Sequence, residues 1–403
     1  MDAVNLAGNN NTGTRVERSK RRGATAREWF ERLLARADVR VNGDRPWDMQ
    51  LIGPDVPERV LGQGTVGLGE TYMDGDWTAE RLDQFFHKIV QAQMTLGKQG
   101  PASGTRPPVW HLLKARLLNR QTRRRAWEVA ERHYDLGNDF YEALLDARMT
   151  YTCGYWSAGA QTLDAAQEAK LELTCRKLGL KPGMRVLDIG CGWGSFMKYA
   201  AQRHGVSCVG ATVSAEQVAL GRERCAGLPV EFMLQDYRDL PGKAGRFDRI
   251  VSLGMFEHVG HKNYAAFIDV AARMLESDGL FLLHTIGRNE QGAGTDPWID
   301  KYIFPNGELP TVARLGRACE HRFVVEDLHN FGADYDHTLM SWHANVEAAW
   351  PRFKDRLGER FHRMWSYYLL SCAGAFRARD IQLWQWVLSP HGVQGGYRRP
   401  TLA

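Results

Sequence analysis

The spacing of hydrophobic residues along the chain changes at about residue 165. Beyond that point, short β-type runs alternate with longer stretches in which apolar residues recur at helical spacing. The β-type runs read MRVLDIG, VSCVGATV, VEFMLQD, FDRIVSLGMF and LFLLHTIG, and stretches such as SAEQVALGRERC lie between them. Strands that alternate with helices of this length are typical of βαβ units. The pattern therefore predicts an α/β fold with a doubly wound, mostly parallel sheet that is covered on both faces.

The chain on either side of this pattern is organised differently. Residues 1–24 are polar with few apolar positions, so we expect a disordered tail. Residues 25–95 combine helical spacing with short segments punctuated by Gly, Pro and Asp, which predicts a small mixed α/β N-terminal domain. Gly, Ser and Pro then predict a linker over 96–125, and we assign 126–403 to the main domain. Within it, the aromatic-rich stretch from about 340 to 388 is expected to be helical.

The composition is that of an ordinary globular protein. The chain has 403 residues, enough for two or three domains, with 44% hydrophobic and 25% charged residues. No apolar run approaches the roughly 18 residues needed to cross a bilayer, and the start lacks the order of a signal peptide, so we expect a cytoplasmic protein. The seven cysteines form no CxxC pair, which argues against a zinc ribbon or a disulfide framework and predicts free thiols.

A basic block stands out from an otherwise balanced charge. The formal net charge is only +5, but residues 106–132 carry eight Lys and Arg against two Glu, with Trp110 and several leucines among them. Such a block is either a solvated helix face or a contact for the phosphates of an anionic membrane. An RNA-modifying enzyme would need stacking aromatics in a basic groove, and the sequence does not suggest such a module.

The strongest local signal is VLDIGCGWG at residues 186–194. A predicted strand ends in Asp188, and Gly190, Gly192 and Gly194 follow before a helix. Glycines at such a turn let the backbone approach a ligand closely. A dinucleotide fingerprint would need GxGxxG, whereas here the third glycine comes one residue early. The spacing looks like the S-adenosylmethionine loop of class I methyltransferases, in which the acid interacts with the amino-acid portion of the cofactor.

A second signal of the same kind follows in QDYRDLPGKAGRFDRIVSLGMFEHVG. This stretch resembles the adenine-binding turn and the fourth strand of class I methyltransferases. Asp236 is therefore a candidate contact for the adenine. The alternative is that Asp236 only caps a helix or a turn, which is a common role for aspartate at such a position.

Three further stretches are long and distinctive. They are RHYDLGNDFYEALLDARMTYTCGYW at 132–156, MFEHVG with LLHTIG within 255–287, and DPWIDKYIFPNGELP with HNFGADYDHTLMSW within 296–342. Together they resemble bacterial cyclopropane-fatty-acyl-phospholipid synthases, a family within the class I methyltransferases. The resemblance extends from about residue 25 to 390, so it covers the predicted small domain as well as 126–403, which it implies is catalytic.

The resemblance implies an enzyme that transfers the methyl carbon of S-adenosylmethionine as a methylene bridge across the cis double bond of an unsaturated phospholipid acyl chain. An isolated alkene is a poor nucleophile, so such a site has to align the double bond with the sulfonium methyl and exclude water. Methyl transfer leaves a carbocation, which aromatic faces and a carboxylate can stabilise until a base removes one proton and the ring closes. In the family that base is a bound bicarbonate.

The motifs carry the family's site residues to positions of this chain. The residues that match those around the bicarbonate are Cys153, Glu257, His284, Ile286 and Tyr335, and Cys372 matches a cysteine often described in the active site. The residues that match cofactor contacts are Tyr151, Thr152, Asp188, Gly190, Gly192, Thr212, Gln217, Gln235, Asp236 and Tyr237. Taken singly, Glu257 and His258 could equally form a satisfied polar pair, His284 could be a core histidine, and Cys153 could be an inert small hydrophobe.

The family also implies a homodimer and a small N-terminal domain that helps to engage the lipid. We therefore expect peripheral association with the anionic inner face of the cell membrane and no nucleic acid partner. Two alternatives remain open. One is a relative that methylates the alkene without ring closure or that makes a methylene or hydroxylated branch. The other is a non-enzymatic lipid- or nucleic-acid-binding protein, which predicts loss of the glycine loop or of the base-site residues, and neither is lost.

Overall fold

The computed structural model describes residues 25–98, 137–290 and 294–402. The strands are β1 Gln50–Leu51, β2 Trp77–Thr78, β3 Arg185–Ile189, β4 Ser207–Thr212, β5 Val230–Leu234, β6 Phe247–Leu253, β7 Leu275–Arg288, β8 Val324–Asn330 and β9 Ile381–Ser389. The helices are α1 Ala26–Ala35, α2 Val56–Gln63, α3 Thr65–Met73, α4 Leu82–Lys98, α5 Asn138–Leu144, α6 Leu163–Leu178, α7 Ser195–His204, α8 Ala215–Arg224, α9 Tyr264–Met274, α10 Pro297–Tyr302, α11 Val312–Cys319, α12 Ala333–Ala349, α13 Lys354–Leu357 and α14 Glu359–Arg377. The predicted tail and the basic block lie outside the described residues.

A seven-stranded sheet in the order β5-β4-β3-β6-β7-β9-β8 organises the main part of the chain. Strands β3 to β7 pair with one another in parallel. Strand β9 is antiparallel to both of its neighbours, β7 and β8. Two separate clusters of buried apolar side chains lie against the sheet, one including Phe267 and Phe281 and the other Leu171 and Leu282. The predicted doubly wound, mostly parallel α/β fold is confirmed.

The stretch from 340 to 388 is only partly helical. Helices α12 and α14 fall where helical spacing predicts them, but the run IQLWQWVLS forms strand β9. The expectation of helix over 381–388 is therefore wrong. Strand β9 is flanked on both sides and buried on both faces, so six of its nine residues are apolar and they show no strict alternation along the strand.

The N-terminal region packs against helix α14. Phe86 and Trp365 belong to one cluster of buried apolar side chains that spans both regions. A Cβ added to Gly374 would lie 2.7 Å from the Cβ of Phe86, so the helices α14 and α4 meet at a glycine contact. The guanidinium of Arg377 donates to the buried carboxylate of Asp83 at 2.6 Å. Helix α14 therefore joins the N-terminal region to the cluster that also contains Tyr335 and Cys153. No helix in the three described ranges is long and apolar enough to cross a membrane.

Candidate active site

The glycine loop begins at the carboxyl end of β3. Asp188 is 2% exposed, and its Oδ1 atom has no hydrogen-bond partner among the described residues. Burial raises the pKa of Asp188 to about 7, and the charge of Lys170 opposes this rise. Gly190 follows with a φ of +88°, and an added Cβ would lie 2.6 Å from the side chain of Met255. The loop thus requires glycine and presents a buried carboxylate with an open acceptor position.

Thr212 lies at the corresponding end of the neighbouring strand β4. Its hydroxyl donates to Oε1 of Gln217 at 2.7 Å. The backbone N–H of Gln217 donates to Ser214 Oγ, which caps helix α8. An added Cβ at Gly192 would point towards Nε2 of Gln217, 4.0 Å away. Because β3 and β4 are paired in parallel, the glycine loop and this polar pair lie at the same edge of the sheet.

Two of the three predicted contacts after β5, Gln235 and Asp236, already bond to neighbouring side chains. The carboxylate of Asp236 accepts the backbone N–H of Arg238 and so caps a short 3-10 helix. It also forms an ion pair with the guanidinium of Arg238 at 2.9 Å. Gln235 bonds to Asp239 and Lys243, at the partly exposed rim. Tyr237 packs in the core, where burial raises its pKa to about 12, and its hydroxyl has no partner among the described residues. The capping role proposed as the alternative for Asp236 is thus present in the structure.

The segment 151–153 runs beside helix α6. Thr152 Oγ1 accepts a hydrogen bond from Lys170 Nζ at 2.7 Å, and the hydroxyls of Tyr151 and Tyr368 are 3.2 Å apart. Cys153 is fully buried, and its thiol donates to the carbonyl of Gly154 at 3.1 Å. Burial raises the pKa of the Cys153 thiol well above its usual value, so this side chain contacts the site as a neutral thiol.

Glu257 follows strand β6 in a short 3-10 helix. Its Oε1 accepts the amide hydrogen of Ile286 at 2.6 Å, while its Oε2 is buried without a partner among the described residues. Burial raises the pKa of Glu257 to about 7. The side chain of His258 is exposed and its ring faces Phe304, so the suggested pairing of Glu257 with His258 is not the one observed.

His284 lies on β7, two residues before Ile286. It is 1% exposed, and the amide of Gln385 donates to its Nδ1 at 3.3 Å. Burial lowers the pKa of His284 well below its usual value, so the ring is neutral. With Nδ1 accepting, the proton resides on Nε2, which has no partner in the described parts of the chain. His284 is therefore not a satisfied core histidine, because one buried donor remains available.

Tyr335 on α12 lies where these groups meet. Its ring is 4.5 Å from that of Phe376, burial raises the pKa of its hydroxyl well above the usual value, and it belongs to the apolar cluster that contains Cys153 and against which Cys372 packs. The structure thus brings the predicted acceptor-side residues around one buried, aromatic-lined region. Cys372 is half-buried on α14, and burial raises its pKa to about 12, so it is not a thiolate nucleophile at neutral pH.

Sequence reasoning missed two buried residues that hold this region together. Thr338 accepts hydrogen bonds from the amide of Gly154 at 3.0 Å and from the indole of Trp156 at 2.9 Å. Lys170 is fully buried in the middle of α6. Thr338 was contained in the quoted motif HNFGADYDHTLMSW, but Lys170 has no sequence signal, since a lysine in an amphipathic helix is usually exposed.

Solved structures define the class of protein. The chain is similar to a mycolic acid cyclopropane synthase in complex with SAH and CTAB, with a TM-score of 0.60 and 33% identity over 65% of this chain and 97% of that one. It also shares the fold of a coclaurine N-methyltransferase, with a TM-score of 0.65 and 20% identity over 81% of this chain and 99% of that one. The protein is a class I, S-adenosylmethionine-dependent methyltransferase.

Sequence comparisons place it within that class. The profile of the family described as mycolic acid cyclopropane synthetase matches residues 121–386. The chain is also 53% identical to the cyclopropane-fatty-acyl-phospholipid synthase of Escherichia coli K12 over 366 residues, which is 91% of this chain and 94% of that protein. The chain therefore belongs to the cyclopropane synthetase family.

Proposed function

We propose that this enzyme transfers the methyl carbon of S-adenosylmethionine as a methylene bridge across the cis double bond of unsaturated phospholipid acyl chains. The observation that carries the proposal is the pair Glu257 Oε2 and His284 Nε2, two buried polar atoms near aromatic side chains that have no hydrogen-bond partner among the described residues. A buried polar atom without a partner is costly unless a ligand completes it. The relationship to the Escherichia coli synthase along nine-tenths of the chain supports the choice of lipid.

The glycine-loop edge fits the cofactor. When bound, S-adenosylmethionine supplies the electrophilic methyl group and leaves as S-adenosylhomocysteine. The open Oδ1 of Asp188 suits a donor of the cofactor's amino-acid portion, and the Thr212–Gln217 pair lies beside it in place of the ribose-binding acid of other class members. Tyr151, Thr152 and the residues after β5 complete the proposed contacts.

The aromatic region fits the acceptor. Tyr335, Phe376 and Trp342 are buried and pack their rings against one another. Buried aromatic rings stabilise a positively charged carbon more than water-exposed groups would. The alkene π electrons form the new bond to the methyl carbon while the sulfur–carbon pair remains on sulfur. Loss of one proton from that methyl then lets the C–H electron pair close the three-membered ring. The overall products are the cyclopropane, S-adenosylhomocysteine and a proton.

The neutral state of the surrounding groups fits a bound bicarbonate. The Nε2 proton of His284 and the free Oε2 of Glu257, which can carry a proton near neutral pH, are both suited to an anion's oxygens. Bicarbonate bound by these residues would supply a small base. Cys153, Ile286 and Tyr335 shape the same region, whereas the thiol of Cys372 contributes packing.

The test is incubation of the purified protein with methyl-labelled S-adenosylmethionine and vesicles of a cis-monounsaturated phospholipid, with and without added bicarbonate. Mass spectrometry of the released acyl chains should show a gain of one CH₂ that resists hydrogenation, with more product when bicarbonate is present. A gain of one CH₂ in a chain that still takes up hydrogen would instead favour methylation without ring closure. Unchanged acyl chains would contradict the proposal.

Membrane contact and dimer formation belong to the same proposal. We propose that residues 25–95 and the basic block bring the site of the 126–403 domain to the anionic inner face of the cell membrane, and that two copies of the chain act together. The density of positive charge in 106–132 supports the membrane contact, and the family resemblance supports the pair of chains. Changing Arg123, Arg124 and Arg125 to Ala should reduce sedimentation with anionic vesicles at low salt and change little at high salt. Equal sedimentation at low salt would exclude the electrostatic contribution.

A further inference from the structure

His284 and Gln385 face each other across strands β7 and β9. The two residues are directly opposite in this antiparallel pair, so their side chains share one face of the sheet. Gln385 is fully buried, and its amide nitrogen Nε2 lies 3.3 Å from Nδ1 of the His284 ring. The register of the sheet therefore sets an amide group against one nitrogen of a ring whose other nitrogen has no partner among the described residues.

Helix α6 supplies the second contact of this amide. Thr174 is fully buried on that helix, and its hydroxyl oxygen accepts from Nε2 of Gln385 at 3.3 Å. The same hydroxyl donates its hydrogen to the backbone carbonyl of Lys170, one helical turn earlier, at 2.8 Å. Because a hydroxyl has only one hydrogen to donate, Thr174 can only accept from the amide.

This contact decides which way the amide of Gln385 points. The oxygen and the nitrogen of such a group are distinguished by the partners they meet. If the amide were turned over, its oxygen would face the Thr174 oxygen with no hydrogen between the two. The nitrogen therefore faces both Thr174 and His284, and each of its two hydrogens has an acceptor.

The amide in turn decides which tautomer the His284 ring adopts. The ring is neutral because burial lowers its pKa well below the usual value. A neutral imidazole carries a hydrogen on one nitrogen and a lone pair on the other. Since Nδ1 faces an amide N–H, it has to carry the lone pair, which leaves the hydrogen on Nε2.

The arrangement carries a cost that an apolar side chain would avoid. Oε1 of Gln385 is buried and has no hydrogen-bond partner in the described parts of the chain. A methionine or leucine at this position would bury no such atom. The glutamine therefore lowers the stability of the fold unless its two donor hydrogens serve a purpose.

We propose that Gln385, oriented by Thr174, is a positioning residue that holds the His284 ring with its hydrogen on Nε2. The role rests on the proposed function, in which this N–H donates to an oxygen of bicarbonate. Gln385 acts only through the His284 ring, so its loss should change how the anion is held and not how the cofactor binds.

Nitrogen NMR of the ligand-free protein tests the tautomer directly. Protein with isotopically labelled histidine nitrogens, compared with His284→Gln, identifies the two ring nitrogens of His284. At a pH where the ring is neutral, Nε2 should carry the hydrogen and Nδ1 should be bare. A hydrogen on Nδ1 would overturn the proposal, whatever the activity of the enzyme.

Gln385→Met removes both donor hydrogens and keeps a similar side-chain length. Both tautomers should then appear in the nitrogen spectrum. The KM for bicarbonate should rise about tenfold, in line with one ordinary hydrogen bond, when product formation is measured in buffer depleted of carbon dioxide. The Kd of S-adenosylmethionine and kcat at saturating bicarbonate should each change by less than about threefold. An unchanged KM for bicarbonate in the folded variant would overturn the proposal.

Gln382→Met is the matched control. Gln382 is also buried on β9, but its amide bonds to Arg379 and Asn330. The tautomer of His284 and the KM for bicarbonate should both stay as in the wild type. A change as large as that of Gln385→Met would show that the loss of any glutamine from β9 has this effect, which contradicts a specific role.

Thr174 keeps the proposal testable if Gln385→Met does not fold. Thr174→Ser retains the hydroxyl, so it should keep the wild-type tautomer and KM for bicarbonate. Thr174→Val removes the acceptor, so it should show both tautomers and a raised KM. Equal values in the two variants would overturn the orientation by Thr174.

The two measurements also separate this role from the proposed function. Wild-type protein that carries the hydrogen on Nε2 but forms no cyclopropane product would overturn the proposed function and leave the tautomer standing. Product formation by wild-type protein with the hydrogen on Nδ1 would overturn only the role of Gln385.

Discussion

The two ends of the site are built in opposite ways. At the glycine-loop edge, polar side chains find partners close in sequence, as Thr212 does five positions away in Gln217 and Asp236 does two positions away in Arg238. On the acceptor side the partners are distant, since Gly154 bonds to Thr338 across 184 positions. Both ends leave buried polar atoms without partners in the described chain, Asp188 Oδ1 at the glycine-loop edge and Glu257 Oε2 with His284 Nε2 on the acceptor side.

This difference separates binding from chemistry. Local pairs can form as soon as the strand ends are in place, so the cofactor edge is a feature that many proteins of this fold can share. The acceptor side exists only when β7, β9, α12 and α14 have packed together, and its unpartnered atoms carry a cost in stability. Substitutions at the two ends should therefore affect different measured quantities.

The largest effect should come from Glu257→Gln. Turnover should fall by a factor on the order of 100 or more, because the amide cannot replace a carboxyl group that changes protonation beside the cation. Binding of S-adenosylmethionine, measured by calorimetry, should stay within about threefold of wild type. Glu231→Gln, an exposed change on β5, is the control. A loss of cofactor binding as large as the loss of turnover would show that Glu257 belongs to the cofactor edge and not to the acceptor side.

The pH dependence of the free energy of unfolding should reveal the cost of burying a carboxylate at each end of the site. The pKa values of Asp188 and Glu257 are raised to about 7, above those in the unfolded chain, so the cofactor-free protein loses stability as the pH rises from about 4 to 7. At pH 8, Asp188→Asn and Glu257→Gln should each raise the free energy of unfolding by roughly 2 kcal/mol. Denaturant titrations at pH 5 and 8 measure this. Asp236→Asn, which loses an ion pair with Arg238, should not stabilise, and stabilisation there would refute the explanation.

Thr338→Val should weaken the acceptor side selectively. The substitution keeps the shape but leaves the Gly154 amide and the Trp156 indole without an acceptor, which costs about 1–3 kcal/mol in stability. Lipid turnover should fall about tenfold because the wall that contains Cys153 loosens. Thr338→Ser retains the hydroxyl and should recover most of the activity. Similar loss in both variants would mean that packing of the methyl group, and not the hydrogen bonds, matters.

The smallest effect should come from Thr212→Val at the other end. Loss of the hydrogen bond to Gln217 should weaken S-adenosylmethionine binding by about fivefold, in line with one modest hydrogen bond. Turnover at saturating cofactor should change by less than about twofold. Calorimetry and initial rates at several cofactor concentrations separate the two. A fall in saturated turnover with unchanged binding would show that the two ends are not separable.

The sequence predicted the local parts of this molecule well. The strand and the glycines around Asp188 are a short pattern with a fixed conformational demand, and the quoted motifs contained Glu257, His284 and Tyr335. Strand β9 was missed because a strand buried on both faces has no alternation and is easily mistaken for a buried helix. Lys170 was missed because nothing in a helical pattern distinguishes a lysine that is buried from one that is solvated.

The sequence by itself determined the α/β fold class, the glycine loop and the family, because these depend on residue types at short and regular spacing. Only the tertiary structure decided which polar atoms remain without partners, since that depends on contacts between segments more than a hundred residues apart. It also decided the charge states, because burial raises the pKa of Asp188 and Glu257 and lowers that of His284. Burial is a property of the packed chain, and no stretch of sequence contains it alone.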